Sequence, residues 1–355
     1  IYTEPVVGSV NVYKRQGLFV NKMFGHKKIY LLSFIFLSSC IEDAPLDSLS
    51  PAGPYARSID ELFWLTFWIA VGVFVIVQGA LLFSVFYFKE REGSPEPKQI
   101  HGNNFLEILW TIIPVMILAA IAVPTVKTIF ELANEPEDAM KIEVIGHQWW
   151  FEYKYPDYGI TTANVLVIPV DRPVRLEMWS NDVLHNYWVP KLNGKKYLVP
   201  GQKTYLNLQA DSPEEFWAQC GEYCGLSHSK MRGRVISMTE SDFASWVENE
   251  QSYAVKELPE SSLAAEGQIV YLNAGCTQCH VIDGVWDVQG DRIAPNLTHF
   301  ANRNVFAGAA LKNNSENLTR WLANPAEIKP GTFMPNLELT EKEINALIAY
   351  LGTLK

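Results

Sequence analysis

Residues 62–88 contain no charged side chain, and this run limits the fold of the chain more than any other feature. An uncharged apolar segment of this length is typical of a helix that crosses a bilayer with some tilt. A second apolar segment covers about residues 105–126 and contains Pro114 and Pro124. Membrane helices tolerate proline because neighbouring groups satisfy the freed backbone. The sequence therefore predicts a transmembrane helical hairpin within residues 41–138.

The segment before the hairpin has the layout of an export signal. Two lysines after Met23 precede a short apolar run, and small residues then lead to Cys40. This order is typical of a secretory signal, and the last four residues resemble a bacterial lipobox. The resemblance implies cleavage before Cys40 and a lipid on its sulfur, so residues 1–40 are interpreted as an upstream segment and lipoprotein-type signal. A buried cysteine after an ordinary apolar segment is the alternative.

The distribution of charge predicts how the hairpin lies in the membrane. The loop 89–104 holds three basic residues, whereas the stretch 41–61 holds only Arg57. Because basic loops remain on the inner side, the domains after the hairpin are predicted on the periplasmic side of a bacterial inner membrane. The net charge of −10 argues against a nucleic-acid partner, since proteins that bind nucleic acids carry basic patches.

One short run, residues 220–231, concentrates soft metal ligands: Cys220, Cys224, His228 and Met231. Sulfur and imidazole ligands select copper over oxygen-loving ions. Suppose that both thiolates bridge two copper ions, and that His185 adds a second imidazole. With one backbone carbonyl, each ion then becomes four-coordinate. A disulfide or a zinc clip is the alternative, but a zinc site would not need the methionine.

With its surroundings, this run resembles the binuclear CuA site of cytochrome c oxidase subunit II, over about residues 55–240. The resemblance implies that copper is bound through the backbone carbonyl of Glu222 and through the side chains of His185, Cys220, Cys224, His228 and Met231. It also implies that the Glu222 side chain helps to bind a magnesium ion at the contact with subunit I. A solvent-facing acid is the alternative for that side chain.

Residues 139–240 alternate apolar and polar positions in short runs that proline, glycine and aspartate interrupt. Examples are residues 141–155, 164–170, 174–179 and 204–209. Such a pattern is typical of a small antiparallel barrel or sandwich. The family resemblance makes this domain an all-β, cupredoxin-like Greek-key barrel whose stiff loops hold the copper pair.

Three further positions take their interpretation from the same resemblance. Trp149 matches the point where electrons enter the copper domain, although clustered aromatic residues usually form barrel core. Glu107 matches a glutamate near the mouth of a proton pathway shared with subunit I. Asn104 and Glu107 also fit a helix N-cap with a carboxylate that reaches back to the first turn. Tyr197 stands where the family often has an acid, so the role of that acid is open here.

A second cofactor is predicted from residues 276–280, which read Cys-Thr-Gln-Cys-His. This is the attachment motif of a c-type haem: Cys276 and Cys279 add to the vinyl groups and His280 ligates the iron. A thioredoxin-like dithiol is the alternative, but no βαβ pattern surrounds the motif. Met334 is the predicted sixth ligand, as in electron-transfer cytochromes c, and His299 is its competitor.

The pattern around this motif predicts an all-α domain. Apolar residues at helical spacing indicate helices over residues 267–273, 317–323 and 341–352. Residues 262–355 resemble a class I cytochrome c, and residues 241–261 are interpreted as a polar linker.

Together, the two metal domains on one membrane-anchored chain resemble the cytochrome c-fused subunit II of caa3-type oxidases. The resemblance implies that a donor, either a cytochrome c or an upstream respiratory complex, passes electrons to the haem. The electrons then move to the copper pair and into subunit I, which reduces oxygen with proton pumping. Neither predicted span contains a histidine, so oxygen reduction is assigned to the partner subunit.

Three other classes of protein remain as alternatives. The CuA-containing subunit of a nitric oxide reductase would present a similar copper run. A quinol oxidase subunit would keep the helices and the barrel but lack the copper ligands, and the full ligand set disfavours it. A copper carrier or assembly factor would need neither a covalent haem nor two membrane spans.

Overall fold

The computed structural model describes residues 44–93, 95, 101–253, 257–286 and 293–355. The predicted signal segment, including Cys40, lies outside these residues. The helices are α1 (Pro54–Tyr87), α2 (Asn104–Ala133), α3 (Glu240–Glu250), α4 (Leu263–Asn273), α5 (Ser315–Ala323), α6 (Pro325–Ile328) and α7 (Glu341–Leu351). The strands of the central domain are β1 (Met140–His147), β2 (Trp150–Tyr155), β3 (Ile160–Ala163), β4 (Val165–Pro169), β5 (Val174–Ser180), β6 (His185–Trp188), β7 (Lys195–Leu198), β8 (Thr204–Leu208), β9 (Glu214–Cys220) and β10 (Arg232–Met238). A two-stranded ribbon in the C-terminal domain consists of β11 (Val305–Phe306) and β12 (Leu311–Lys312).

Helices α1 and α2 are each long and apolar enough to cross a membrane. Both exceed the predicted spans, because hydropathy marks only the part in hydrocarbon and a helix can continue into water. At 1.5 Å per residue α1 measures about 51 Å, against roughly 30 Å of bilayer core. Its first turns carry Arg57 and Glu61, which fit the water side. Pro114 and Pro124 lie inside α2 without ending it.

The central domain consists of two five-stranded sheets that enclose one hydrophobic core, which confirms the predicted cupredoxin-like fold. One sheet has the order β3-β2-β1-β5-β8 and the other β4-β10-β9-β6-β7. The pairs β1–β5 and β4–β10 are parallel, whereas the sequence predicts an antiparallel domain. Alternating polarity reports which face of a strand is buried and carries no information on strand direction. The parallel pairs arise because the chain changes sheets between the paired strands.

Residues 240–250, most of which the sequence assigns to a linker, form helix α3 instead. Thr239 caps the helix, its side chain accepting a hydrogen bond from the Asp242 backbone. Phe243 and Val247 belong to the buried core of the barrel. The polar residues of this segment lie on the solvent-facing side of the helix, and two apolar residues four positions apart pack the other side against the barrel.

Buried polar side chains join the barrel to the end of α2. Asn207 in β8 is fully buried, and its amide nitrogen donates to the carbonyl oxygens of Leu132 (3.1 Å) and Asn134 (2.7 Å). Arg175 in β5 donates to Ala133 O at 3.2 Å and to Asn207 Oδ1 at 2.8 Å. The last carbonyls of a helix have no partner within the helix, so the barrel supplies donors that the helix lacks.

The C-terminal domain is helical around a second hydrophobic core, as predicted. Helices α4 and α7 supply much of that core, and α5 adds Leu318 and Leu322. A capping box of Thr340 and Glu343 starts α7, with reciprocal bonds between side chain and backbone. The predicted helices therefore exist, with α4 and α5 beginning earlier in the sequence than predicted.

Candidate metal centres

The run 220–231 and the distant His185 come together at one end of the barrel. Cys220 ends β9 and His185 begins β6, two paired strands of one sheet. The ligand atoms of His185, Cys220 and Cys224 lie within 4.8 Å of one another, and all three residues are buried. Neighbouring strands thus bring the remote histidine to the thiols.

The distances within this cluster suit ligands that share metal ions. The two sulfur atoms of Cys220 and Cys224 lie 3.7 Å apart. Cys220 Sγ lies 4.0 Å from Nδ1 of His185, and Cys224 Sγ lies 3.5 Å from Nδ1 of His228. Cys224 Sγ also lies 3.8 Å from the sulfur of Met231. The two thiols, two imidazoles and one thioether therefore lie close together, and donors of these types would suit copper.

Glu222 enters the cluster through its backbone. Its carbonyl oxygen lies 3.2 Å from Cys220 Sγ, whereas its side chain has no partner among the described residues. The sequence-based assignment of a carbonyl ligand at this position fits that geometry.

Asp182 orients His185, and the sequence interpretation missed it. The carboxylate oxygen Oδ1 of Asp182 lies 2.7 Å from Nε2 of His185. Because a carboxylate accepts, Nε2 carries the proton when the ring is neutral, and Nδ1 faces Cys220, where it could bind a metal ion. Asp182 also accepts from the backbone nitrogens of Gln148 and Val183. The only sequence signal for this role is an acid three residues before a candidate ligand.

Electrostatics around the cluster favour a thiolate. Burial acts to lower the pKa of His185, but hydrogen bonds with Asp182 and Cys220 outweigh it and raise that pKa. The hydrogen bond from Cys224 holds the pKa of Cys220 well below its usual range. The same pairing and burial raise the pKa of Cys224. One thiolate forms readily, and a bound cation would displace the second proton.

Trp149 contacts the same loop directly. Its indole Nε1 donates to the carbonyl oxygen of Cys224 at 2.9 Å, and Nε2 of Gln148 donates to that oxygen at 2.8 Å. Trp150 instead stacks on His147, with ring centroids 4.3 Å apart. Of the two adjacent tryptophans, the one predicted to receive electrons is hydrogen-bonded to a ligand residue.

The predicted haem ligands lie on two segments of the C-terminal domain. Cys276 lies in a short 3₁₀ turn, Cys276–Gln278, and its side chain packs against the same core as Met334. Nδ1 of His280 lies 2.8 Å from the carbonyl oxygen of Pro295. Since that oxygen accepts, Nε2 is left free to bind iron. Burial lowers the pKa of His280, which keeps the imidazole in the neutral form that a metal needs.

His299, the competitor for the sixth position, has another contact. It is buried, and its Nε2 lies 3.1 Å from the carbonyl oxygen of Ser252. Both donor sets thus suit the metals predicted for them: thiols with imidazoles and a thioether for copper, and two thiols with a free imidazole nitrogen for haem.

Glu107 takes part in the cap of α2. Asn103, one residue before the predicted Asn104, is the N-cap, and its side chain accepts from the backbone nitrogens of Phe105 and Leu106. Oε1 of Glu107 accepts from the backbone nitrogen of Asn103 at 3.3 Å. The local capping role is therefore present, and the second carboxylate oxygen has no partner among the described residues.

Comparison with known proteins identifies the family. Three family models match: "Cytochrome C oxidase subunit II, transmembrane domain" over residues 47–128, "Cytochrome C oxidase subunit II, periplasmic domain" over 159–238, and "Cytochrome c" over 264–355. A cytochrome c oxidase subunit 2 from Alkalihalophilus pseudofirmus is 37% identical over 91% of this chain and 96% of its own.

Two Bacillus relatives extend the comparison. Cytochrome c oxidase subunit 2 of Bacillus subtilis is 34% identical over 92% of this chain and 97% of its own. A quinol oxidase subunit 2 of Bacillus spizizenii is 35% identical over only 64% of this chain and 72% of its own. The chain therefore belongs to the cytochrome c oxidase subunit II family, in the form that carries a fused cytochrome c domain.

Proposed function

We propose that this chain relays electrons within a caa3-type oxidase, from a donor through a covalent haem c to a binuclear CuA centre. The observation that carries the proposal is the cluster of thiols, imidazoles and thioether at the end of the barrel. When bound, the haem and the copper pair would each supply one-electron redox chemistry without making or breaking bonds. The haem would be held by Cys276, Cys279, His280 and Met334, and the copper pair by His185, Cys220, Glu222, Cys224, His228 and Met231.

The transmembrane hairpin supports a proposal for the membrane location and the partner subunits of the relay. Within the described residues neither α1 nor α2 contains a histidine, so the oxygen-reducing site is assigned to subunit I. The helices would anchor the chain in the lipid bilayer of a bacterial inner membrane, beside subunit I and other oxidase subunits. The barrel and the haem domain would face the outer side. The donor would be a cytochrome c or an upstream respiratory complex.

The cofactor content tests the relay most directly. We expect the purified complex to contain two copper ions in this subunit for each c-type haem, with the optical and paramagnetic spectra of a mixed-valence copper pair. Mononuclear copper, or zinc in its place, would overturn the proposal. The quinol oxidase alternative also fails if this copper pair is present, since such a subunit has no use for it.

Trp149 is proposed as the residue through which electrons reach the copper. Trp149→Phe removes the hydrogen bond to Cys224 O while it retains an aromatic ring. We expect slower reduction of copper with unchanged copper content. Trp150→Phe is the matched control, because Trp150 stacks on His147 and has no described contact with the ligand loop. Equal rates in the two variants would remove Trp149 from the pathway.

Glu107 is proposed to exchange protons at the mouth of a pathway shared with subunit I. Glu107→Gln keeps an oxygen that can accept from Asn103, so the helix cap survives, but the side chain no longer titrates. Glu107→Ala loses both properties. Slower proton-coupled turnover in both variants supports the proton role, whereas a defect confined to the alanine variant would reduce Glu107 to a cap.

A further inference from the structure

Several described segments of the C-terminal domain contact the barrel, and one of them, residues 328–331, lies against the copper loop and is called the seating segment. Lys329 in its centre is only 4% exposed. Its Nζ donates to the backbone oxygen of Trp149 in the barrel and to that of Ala307 in its own domain. One buried side chain thus joins the haem-bearing domain to the residue proposed to receive electrons.

Neighbouring backbone groups strengthen the contact. The hydroxyl of Ser227 donates to the carbonyl oxygen of Pro330 at 2.7 Å, and Lys230 donates to that of Ile328. Ser227 and Lys230 lie in the same loop as the copper ligands. The backbone nitrogen of Arg232 also donates to the carbonyl oxygen of Gly308, at 2.8 Å. The seating segment therefore meets the copper loop by specific bonds, and a second point of contact lies beside it.

Two glycines allow the close approach. Gly331 has φ +80°, and a Cβ there would lie 2.7 Å from the Trp149 ring. Gly308 has φ +72°, and its Cβ would lie 2.5 Å from Lys329 Nζ and 2.7 Å from Trp149 O. Both backbones are left-handed, a conformation that glycine adopts without strain. Any side chain at either position would push the two domains apart.

The burial of Lys329 needs an explanation, because the amine loses hydration and has no carboxylate partner in the part of the chain that the structure describes. Burial lowers the pKa of Lys329 to about 7. An amine donates hydrogen bonds in both its charged and its neutral form, so the bonds to two carbonyls do not depend on the charge. A carbonyl buried without a donor is costly, and removal of the amine would orphan Trp149 O at the interface.

We propose that Lys329 is a positioning residue that seats the haem-bearing domain on the copper loop beside Trp149, so that electron transfer between the two centres depends on this contact. The proposal rests on the proposed relay. Lys329 lies five residues before Met334, the predicted iron ligand. A single segment thus spans from the predicted haem ligand to the copper loop, and its seating sets the separation of the two centres.

The test uses Lys329→Met in the purified, fully loaded complex. Methionine is similar in length but has no N–H donor. After photochemical reduction of the haem, we expect electron transfer to the copper to slow about tenfold, in proportion to the smaller seated fraction. Hydrogen exchange of the Arg232 amide, which bonds to Gly308 O in the seated arrangement, should become faster. Haem absorption, copper content and both reduction potentials should remain as in the wild type.

Lys312→Met is the matched control. Lys312 belongs to the same domain and is exposed, and its amine has no described partner, so both readouts should match the wild type. Gly331→Ala provides a second route to the same effect, since it keeps the amine and inserts a methyl group against Trp149. It should slow electron transfer as well.

The outcomes separate the two proposals. Unchanged electron transfer and unchanged exchange in Lys329→Met would overturn the positioning role while leaving the relay intact. Loss of copper in that variant would also overturn it, because Lys329 would then shape the copper site itself. A wild-type complex without a copper pair would instead overturn the proposed relay, before any variant is compared.

Discussion

The two metal sites of this chain are built in different ways. At the proposed copper site, side chains from paired strands and one loop already lie close together, and most of them are buried. At the haem site, the thiols are half-buried, and Met334 comes from a segment far along the chain from His280. The first site is defined by backbone pairing in a β domain. The second is an edge of a helical core that the porphyrin itself would complete.

This difference separates the roles of the residues at each site. In the copper cluster most ligands touch another ligand, so the loss of one disturbs the rest. In the proposed haem site the thiols would attach the group, and the axial ligands would tune its reduction potential. Substitution of a copper ligand should therefore decide whether copper binds at all. Substitution of an axial haem ligand should change the reduction potential and spectrum of the haem but not its attachment.

The largest effect is expected from Cys220→Ser. Removal of one bridging thiolate leaves the second sulfur without the partner 3.7 Å away, and copper should be lost almost completely. Metal analysis of the purified complex checks this, with the c-type haem absorption as an internal standard. Ser229→Ala, an exposed change in the same loop, should keep full copper. Retention of a copper pair in Cys220→Ser would contradict the shared-thiolate geometry.

Met334→Ala should produce a smaller effect of a different kind. The haem stays attached through Cys276 and Cys279, but it loses the thioether ligand that favours a high potential. We expect the potential to fall by on the order of 0.1 V and the absorption band of methionine–iron ligation to disappear. Copper content should not change. Survival of that band would shift the assignment of the sixth ligand to another residue, with His299 the first to test.

Asp182→Asn should weaken the copper site without abolishing it. An amide can present either its oxygen or its nitrogen to His185, so the ring orientation is less fixed. Changes to such supporting partners cost about 10- to 100-fold in metal affinity. Competition with a copper chelator measures this, and Asp157→Asn, an exposed acid in the same domain, is the control. Affinity within twofold of the wild type would show that the strands alone orient His185.

The smallest effect on copper is expected from Glu222→Gln. Only the backbone carbonyl faces Cys220, so copper content should match the wild type. If the carboxylate helps to hold magnesium at the contact with subunit I, the same complex should lose bound magnesium. Copper loss comparable to that of Cys220→Ser would show that the side chain shapes the cluster.

The structure brings His185, Cys220 and Cys224 together, as the sequence predicts, because metal chemistry restricts residue type and spacing together; copper binding by these residues stays a prediction. The β domain and the helical domain were equally predictable, because the alternation of polarity in strands and the helical spacing of apolar residues both reflect burial. The direction of the strands could not be predicted in this way, and the pair β1–β5 is parallel. Helix α3 was hidden because only Phe243 and Val247 of its residues are buried.

Asp182 and Lys329 were missed because each acts through hydrogen bonds that residue type alone does not reveal. Asp182 lies only three residues before His185, but that spacing alone does not show that the two side chains meet. Lys329 donates to a backbone oxygen far away in the sequence. A backbone acceptor leaves no trace in residue type. Such residues become visible only when burial and partner are known together.

The bonds from Asn207 and Arg175 to the last carbonyls of α2 have a consequence for the whole complex. If the end of the helix were free, the barrel could rotate about it and would adopt many orientations relative to the bilayer. Because buried side chains of the barrel bind these carbonyls, helix α2 sets both the height and the orientation of the barrel above the membrane. Insertion of α2 beside the other helices of the complex would thus also orient the copper loop toward subunit I, without a separate docking step.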